Sequence, residues 1–219
     1  MSKKKKAAKA AKKAAKTKAT TTVKKKKKVK SVDTWKSKRW YTIIAPKMFE
    51  GKELGKAVSS DPKLLMGRTV RLTMRDITGN IPHQNVKLAF KVIDVKGESL
   101  ETTPISHELN RGYISRQTRR MHSVITTITT VVTKDGYTLR LTALSFGHGR
   151  MKLAQRKEIR RLTEELLTTT AASTSYEKLY GEMLHGKVGS EIYKRAKKIY
   201  PLTRSEVIKS RVMSAPAEK

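Results

Sequence analysis

The sequence predicts an α+β chain in which a strand-rich core is followed by helices and preceded by a basic arm. Three observations carry that expectation. Apolar residues alternate with polar ones in several runs between residues 40 and 147, the two-residue period of half-buried strands. From residue 151 the apolar positions recur at helical spacing. Residues 1–30 hold 15 lysines and no acid, so they have nothing to bury and much to repel. The chain accordingly divides into an arm over 1–30, disordered in isolation, a strand-rich core over 31–150, a helical region over 151–202 packed on that core, and a C-terminal extension over 203–219. Strands in succession followed by helices in succession either form an open sheet or curl into a small barrel with helices on one side, and pattern alone leaves both open.

Within the arm, residues 7–16 are good helix formers, so helix becomes available once phosphates neutralise the lysines. The first period-two run spans 40–45. In the second, Val70, Leu72 and Met74 alternate with Arg71, Thr73 and Arg75, which gives a strand with a basic outer face. A third run sets Val86, Leu88, Phe90 and Val92 against Lys87 and Lys91, and Gly97 follows as a turn. Residues 106–119 read as a helix with Ser106 as its cap and Glu108 in its first turn, although Gly112 weakens it. Residues 124–133 are dense in threonine, valine and isoleucine. Asp135 and Gly136 then make a favoured two-residue turn, and Tyr137, Leu139 and Leu141 alternate onward, so this stretch is a β-hairpin. The period slips at Ala143 and Leu144, which predicts a bulge before Phe146. Met151, Ile159, Leu162 and Leu166 then share a narrow helical arc, with the basic residues on the opposite side. A Ser/Thr/Ala segment over 168–175 separates this helix from one over 176–184, and a last helix over 190–199 stops before Pro201.

Composition excludes more than it selects. With 50 Lys plus Arg against 18 Asp plus Glu, the formal charge is +32, and removing the arm still leaves 35 basic residues against the same 18 acids. Only a polyanion or an anionic membrane neutralises so much charge. No run approaches the roughly 18 to 20 apolar residues of a spanning helix. The N-terminal lysines have no apolar stretch behind them, so a secretory signal is also not expected. The absence of cysteine removes thiolate chemistry and the usual structural zinc sites, and is consistent with the cytosol. His83, His107, His122, His148 and His185 show no helical pairing, so no metal or other cofactor is expected.

Residues 181–187, from Gly181 through Gly186 to Lys187, have the spacing of a phosphate-binding loop. Val188 stands where a magnesium-holding hydroxyl belongs, however, and the segment joins two helices, so the amide cradle would not form. There is no Gly-x-Ser-x-Gly elbow and no His-Glu-x-x-His, and the adjacent acids Glu164 and Glu165 point to different sides of a helix. No enzyme is expected. Nucleic-acid contact is better supported. Trp35, Lys36, Lys38 and Arg39 mix an aromatic ring with cations just after the arm, a combination that stacks on unpaired bases while holding phosphates. Trp40 and Tyr41 read slightly better as core anchors of the first strand. Two further clusters are Arg116, Arg119 and Arg120 before the hairpin, and Arg150, Lys152, Arg156, Lys157, Arg160 and Arg161 around the long helix. Arginine grips phosphate with a planar fork, which lysine does not offer. A DNA-compacting protein using the lysine arm is the rival binding class.

Particular residues carry a family likeness. The stretch DTWKSKRWYTIIAPKMF at 33–49, then SDP at 60–62, GRTV at 67–70, Arg75 with Asp76, KDGYTLRL at 134–141 and IYPL at 199–202 closely resemble the small-subunit ribosomal proteins of the S-three-a-e type, in their archaeal version. The likeness is scattered over 33–212, and the long lysine arm departs from the usual short N-terminus. The resemblance implies a β-barrel-like centre with flanking helices, no cofactor, and a cytoplasmic place in the ribosome on the platform near the messenger RNA exit. It implies small-subunit ribosomal RNA, neighbouring small-subunit ribosomal proteins and messenger RNA as partners, with no membrane.

Overall fold

The computed structural model describes residues 35–216, so the expected disorder of the 1–30 arm lies outside the described residues. Contacts divide the chain into a short N-terminal unit, Met1–Ser37, and a body, Lys38–Lys219. In the body, β1 (Arg39–Ile44), β2 (Glu53–Ser59) and β3 (Thr69–Thr73) lead through the one-turn helix α1 (Met74–Thr78) to the long strands β4 (Val86–Lys96) and β5 (Ser99–Leu109). The short helix α2 (Arg111–Gln117) precedes the hairpin of β6 (Val124–Val132) and β7 (Thr138–Gly147). Helices α3 (Leu153–Ser173), α4 (Tyr176–Leu184) and α5 (Lys187–Ala196) follow, and β8 (Leu202–Ser214) ends the fold. No helix among the described residues is long and apolar enough to cross a membrane.

All eight strands belong to one open sheet in the order β2-β1-β5-β8-β7-β6, with β4 also paired to β5 and β3 paired to β4. The barrel-like centre expected from the resemblance is therefore corrected. Strand β5 spends one edge on β4 and divides the other between β1, over 99–101, and β8, over 106–108. Strands β2, β3 and β6 each pair with one neighbour only among the described residues, so the sheet does not close on itself.

Local chemistry explains most boundaries. The hairpin is present, but its loop has three residues. Thr133 still pairs with Tyr137 while the Gly136 N–H donates to the Thr133 carbonyl at 2.9 Å, and Gly136 supplies the left-handed φ of +81° that this turn requires. The period slip is real, appearing as a register shift between Thr142 and Ala143 against β8. Residues 106–109 are not helical, because Ser106, His107 and Glu108 pair with both β4 and β8, and helix begins only at Arg111. Pro104 is accommodated within β5 at a bulge, where Ile105 stands between the partners of Ala89 and Phe90. The 168–175 segment does not break its helix until Ser173. Thr168, Thr169 and Thr170 donate their hydroxyls to the carbonyls four residues back, at 2.7 to 2.8 Å, so the side chains stay compatible with the helix. Helix α5 occupies 187–196 instead of 190–199, starting at Gly186 with φ +73°. The stretch read as a C-terminal extension forms β8 and lies inside the sheet.

The helices cover the inward face of the sheet. Tyr176 and Tyr180 of α4 donate their hydroxyls to the carbonyls of Pro104 and Ser106, at 2.7 and 3.3 Å, and burial pushes both phenols above their usual range. The α4 N-terminus is held from the hairpin, where the Asp135 carboxylate accepts the Tyr176 N–H at 2.8 Å and Tyr137 stacks on Tyr176. Helix α5 meets β8 through Gly189, where a β-carbon would lie 2.5 Å from the Ser205 carbonyl oxygen. Leu88, Phe90, Leu100, Leu139, Leu141, Leu167, Leu179 and Ile192 fill the main core, each essentially inaccessible. Ile125, Met151, Ile159, Ala196 and Leu202 form a smaller core beneath the start of α3. Each of these leucine, isoleucine, phenylalanine and methionine side chains contributes roughly 1.5 to 3 kcal/mol by leaving water.

Candidate nucleic-acid interface

Two basic clusters separated in sequence converge on one buried serine. Ser123, at the entrance to β6, donates its N–H to the Gly149 carbonyl and accepts the Gly147 N–H on its own carbonyl, both at 2.9 Å. Its hydroxyl oxygen accepts the Met151 N–H at 3.0 Å and an Arg156 guanidinium N–H at 3.2 Å. These bonds clamp the loop carrying Arg119 and Arg120 against the loop carrying Arg150 and Lys152. Arg150 reaches across to the Met121 sulfur at 3.3 Å, and His122 donates from Nδ1 to the Gly147 carbonyl at 2.9 Å while its ring meets His148 edge-on. Met121 itself is exposed and holds φ at +65°, a left-handed conformation costly for a residue with a side chain, so the loop shape is imposed by this clamp.

The cluster opens onto the N-terminus of α3, where the Gln155 side-chain oxygen accepts the Lys152 N–H at 3.1 Å. Arg119, Arg120, Arg150 and Lys152 are exposed there. Arg156 is only half-exposed, with its Nε buried and without a protein partner, so its first role is to brace Ser123. Further along, Lys157, Arg160 and Arg161 are exposed, but Arg161 pairs with Glu165 at 3.3 Å and Glu158 and Glu164 share the outer surface. The helix is thus less one-sidedly basic than its arginines alone suggest.

Arg116 lies exposed on α2, which is tied to β8 by a 3.0 Å hydrogen bond from the Tyr113 hydroxyl to Glu206, with Arg204 over the Tyr113 ring. The remaining candidates are distributed differently. Trp35 and Lys36 belong to the N-terminal unit, whereas Lys38 and Arg39 open the body, and all four side chains are exposed. Trp40 corrects the core reading, being 60% exposed while Tyr41 is 5% exposed. Period two allows only alternate residues inward, and Tyr41 and Ile43 occupy those places. The 181–187 segment runs from inside α4 through a turn into α5, with no preceding strand. Ser123 was not legible as a site residue, because its partners lie 24 to 33 positions downstream and no local motif marks it.

An open, mostly antiparallel sheet backed by helices, with cations gathered about a clamped loop, defines a basic α+β scaffold. The family model described as the Ribosomal S3Ae family matches residues 6–216. The chain is 43% identical over 185 residues to the small ribosomal subunit protein eS1 of Methanothermobacter thermautotrophicus, covering 84% of this chain and 95% of that one. Proteins of the same name from Staphylothermus marinus and Sulfurisphaera tokodaii are 41% and 40% identical, covering 84% of this chain in both cases and 87% and 96% of theirs. This chain therefore belongs to the Ribosomal S3Ae family, in agreement with the motifs at 33–49 and 199–202.

Proposed function

We propose that this protein is a structural constituent of the small ribosomal subunit, working in the cytoplasmic ribosome in support of translation and without an enzymatic step. The observation that carries the proposal is the likeness, at about 40% identity over most of both chains, to proteins named for the small subunit. The surplus of 32 positive charges over the whole chain is what a protein enclosed by ribosomal RNA would need. Arg119, Arg120, Arg150 and Lys152 around Ser123, with Lys157, Arg160 and Arg161 along α3 and Arg116 on α2, hold phosphates. Arg156 keeps the loop in shape. On the body, Trp40 stacks on an unpaired base with Lys38 and Arg39 on phosphates, and in the N-terminal unit Trp35 and Lys36 make contacts of the same two kinds. Neighbouring small-subunit proteins and messenger RNA near its exit are the further partners in this reading, and the 1–30 arm is an additional element reaching for RNA.

Binding of the full chain to small-subunit RNA across a salt series tests the proposal. Six or more phosphate contacts predict a loss of affinity of roughly a thousandfold or more between 50 and 200 mM salt. Arg150→Gln combined with Arg160→Gln should lower that slope, and the parent should travel with small-subunit particles on a sucrose gradient. A flat salt response in the parent, or a parent found only free of particles, overturns it.

A further inference from the structure

The register of the sheet lines up two rows of side chains on the face that the helices leave uncovered. In one row Arg71, Ala89, Ser106, Arg211, Arg140 and Thr130 follow one another across β3, β4, β5, β8, β7 and β6. In the next stand Thr73, Lys87, Glu108, Lys209, Thr142 and Ile128. Every long side chain in both rows is exposed, while the inward neighbours Leu88, His107, Ser210 and Leu141 are buried.

The charge on this face is unbalanced. The single acid of these two rows, Glu108, already takes Lys209 at 3.6 Å. Arg71, Lys87, Arg140 and Arg211 make no ion pair among the described residues. Arg140 and Arg211 are also directly opposed in the register of β7 and β8. Like charges in that relation stand about 5 Å apart at their β-carbons and destabilise a sheet. A pair of arginines held at a cost to the free protein is accounted for by an anion that lies over both.

The rest of the surface selects which anion. Ala89, Ser106, Thr130, Thr142 and Thr73 keep the floor between the cations low, and four of the five offer hydroxyls. Hydroxyls and guanidinium groups are the side chains that contact phosphate oxygens, whereas unpaired bases are held by aromatic rings, and neither row contains one. We propose that this helix-free face, centred on Arg140 and Arg211, is a second RNA-docking surface that grips the phosphodiester backbone of a folded segment, separately from the cluster around Ser123. It rests on the reading above that the polyanion is RNA. With two such surfaces the chain clamps two RNA segments instead of capping one.

The test uses the full chain and small-subunit RNA. Arg140→Gln with Arg211→Gln removes two cations and one repulsion. The slope of log affinity against log salt should fall by about 1.5, at roughly 0.7 to 0.9 per phosphate released. The melting temperature of the free protein should stay level or rise, because the opposed charges are gone. If the double variant melts below the parent, each single variant takes its place, since either one relieves the pair and should lower the slope by about half as much. An unchanged slope and affinity, with Arg150→Gln and Arg160→Gln still weakening binding, overturns this inference and leaves the proposed function standing. Loss of polyglutamate binding without loss of RNA affinity likewise overturns it, in favour of an acidic protein partner. A parent whose binding ignores salt overturns the proposed function itself.

Discussion

His107 sits on the inward face of β5, 2% exposed, with the Tyr180 ring edge-on against it. Its Nε2–H donates to the Val207 carbonyl at 3.1 Å, which leaves Nδ1 to accept the Ser210 hydroxyl at 2.7 Å, so neutral imidazole satisfies every partner. Burial pushes its pKa down from 6.5 to about 4, against a smaller upward pull from the Val207 carbonyl and Glu108. The unfolded chain therefore binds a proton near pH 6.5 and the folded chain only near pH 4. Between those values the unfolded state holds more protons, so the stability His107 contributes is present above pH 6.5 and is lost as the pH falls through the window. At about 1.4 kcal/mol per pH unit, acidification from pH 7 to pH 5 should remove roughly 2 kcal/mol through this residue alone. His107→Gln keeps a donor and an acceptor but does not titrate. Urea unfolding followed by circular dichroism should find the parent losing about 2 kcal/mol more than the variant between those two pH values. Equal losses would refute the buried neutral imidazole as the source.

Other perturbations probe how the helices are seated. Gly189→Ala sets a methyl group against the Ser205 carbonyl and pushes α5 off β8, so despite the better helix propensity of alanine a net loss of about 1 to 2 kcal/mol is expected in denaturant melts. A variant as stable as the parent would mean that α5 moves freely. Asp135→Ala removes the carboxylate from the α4 N-terminus and should cost about 1 kcal/mol by thermal unfolding. Asp135→Asn, which keeps an acceptor oxygen, should recover part of it.

Legibility followed the distance over which a residue finds its partner. The β6–β7 hairpin could be read because its turn and both strands lie within 24 consecutive residues and the alternation is apolar against polar. Strand β8 also alternates, but two of its inward positions are Ser205 and Ser210, which meet Ser145 and His107 from 60 and 103 positions away. Polar groups that satisfy one another across the sheet erase the apolar signal on which the pattern depends. Strand β5 was hidden similarly by Thr102 and Pro104, both buried. Strand β2 also escaped, since only Leu54, Ala57 and Ser59 face inward. Of the candidate site, the basic residue types were visible, but their meeting around Ser123 was not. Nor was the juxtaposition of Arg140 and Arg211, which exists only once β8 has paired with β7.

That late pairing sets an order of events. Strand β8 closes the gap between β5 and β7, and its bonds to β5 join positions about a hundred residues apart. The hairpin and the β4–β5 pair form from near neighbours, whereas the final seam waits on the slow closure of a long loop. A chain interrupted before Leu202 is left with the β7 edge bare over 138–147 and the β5 edge bare over 106–108, and the longer of these is a template for another copy's strand. Premature termination in this protein therefore yields a species prone to aggregate, more than a merely weakened one.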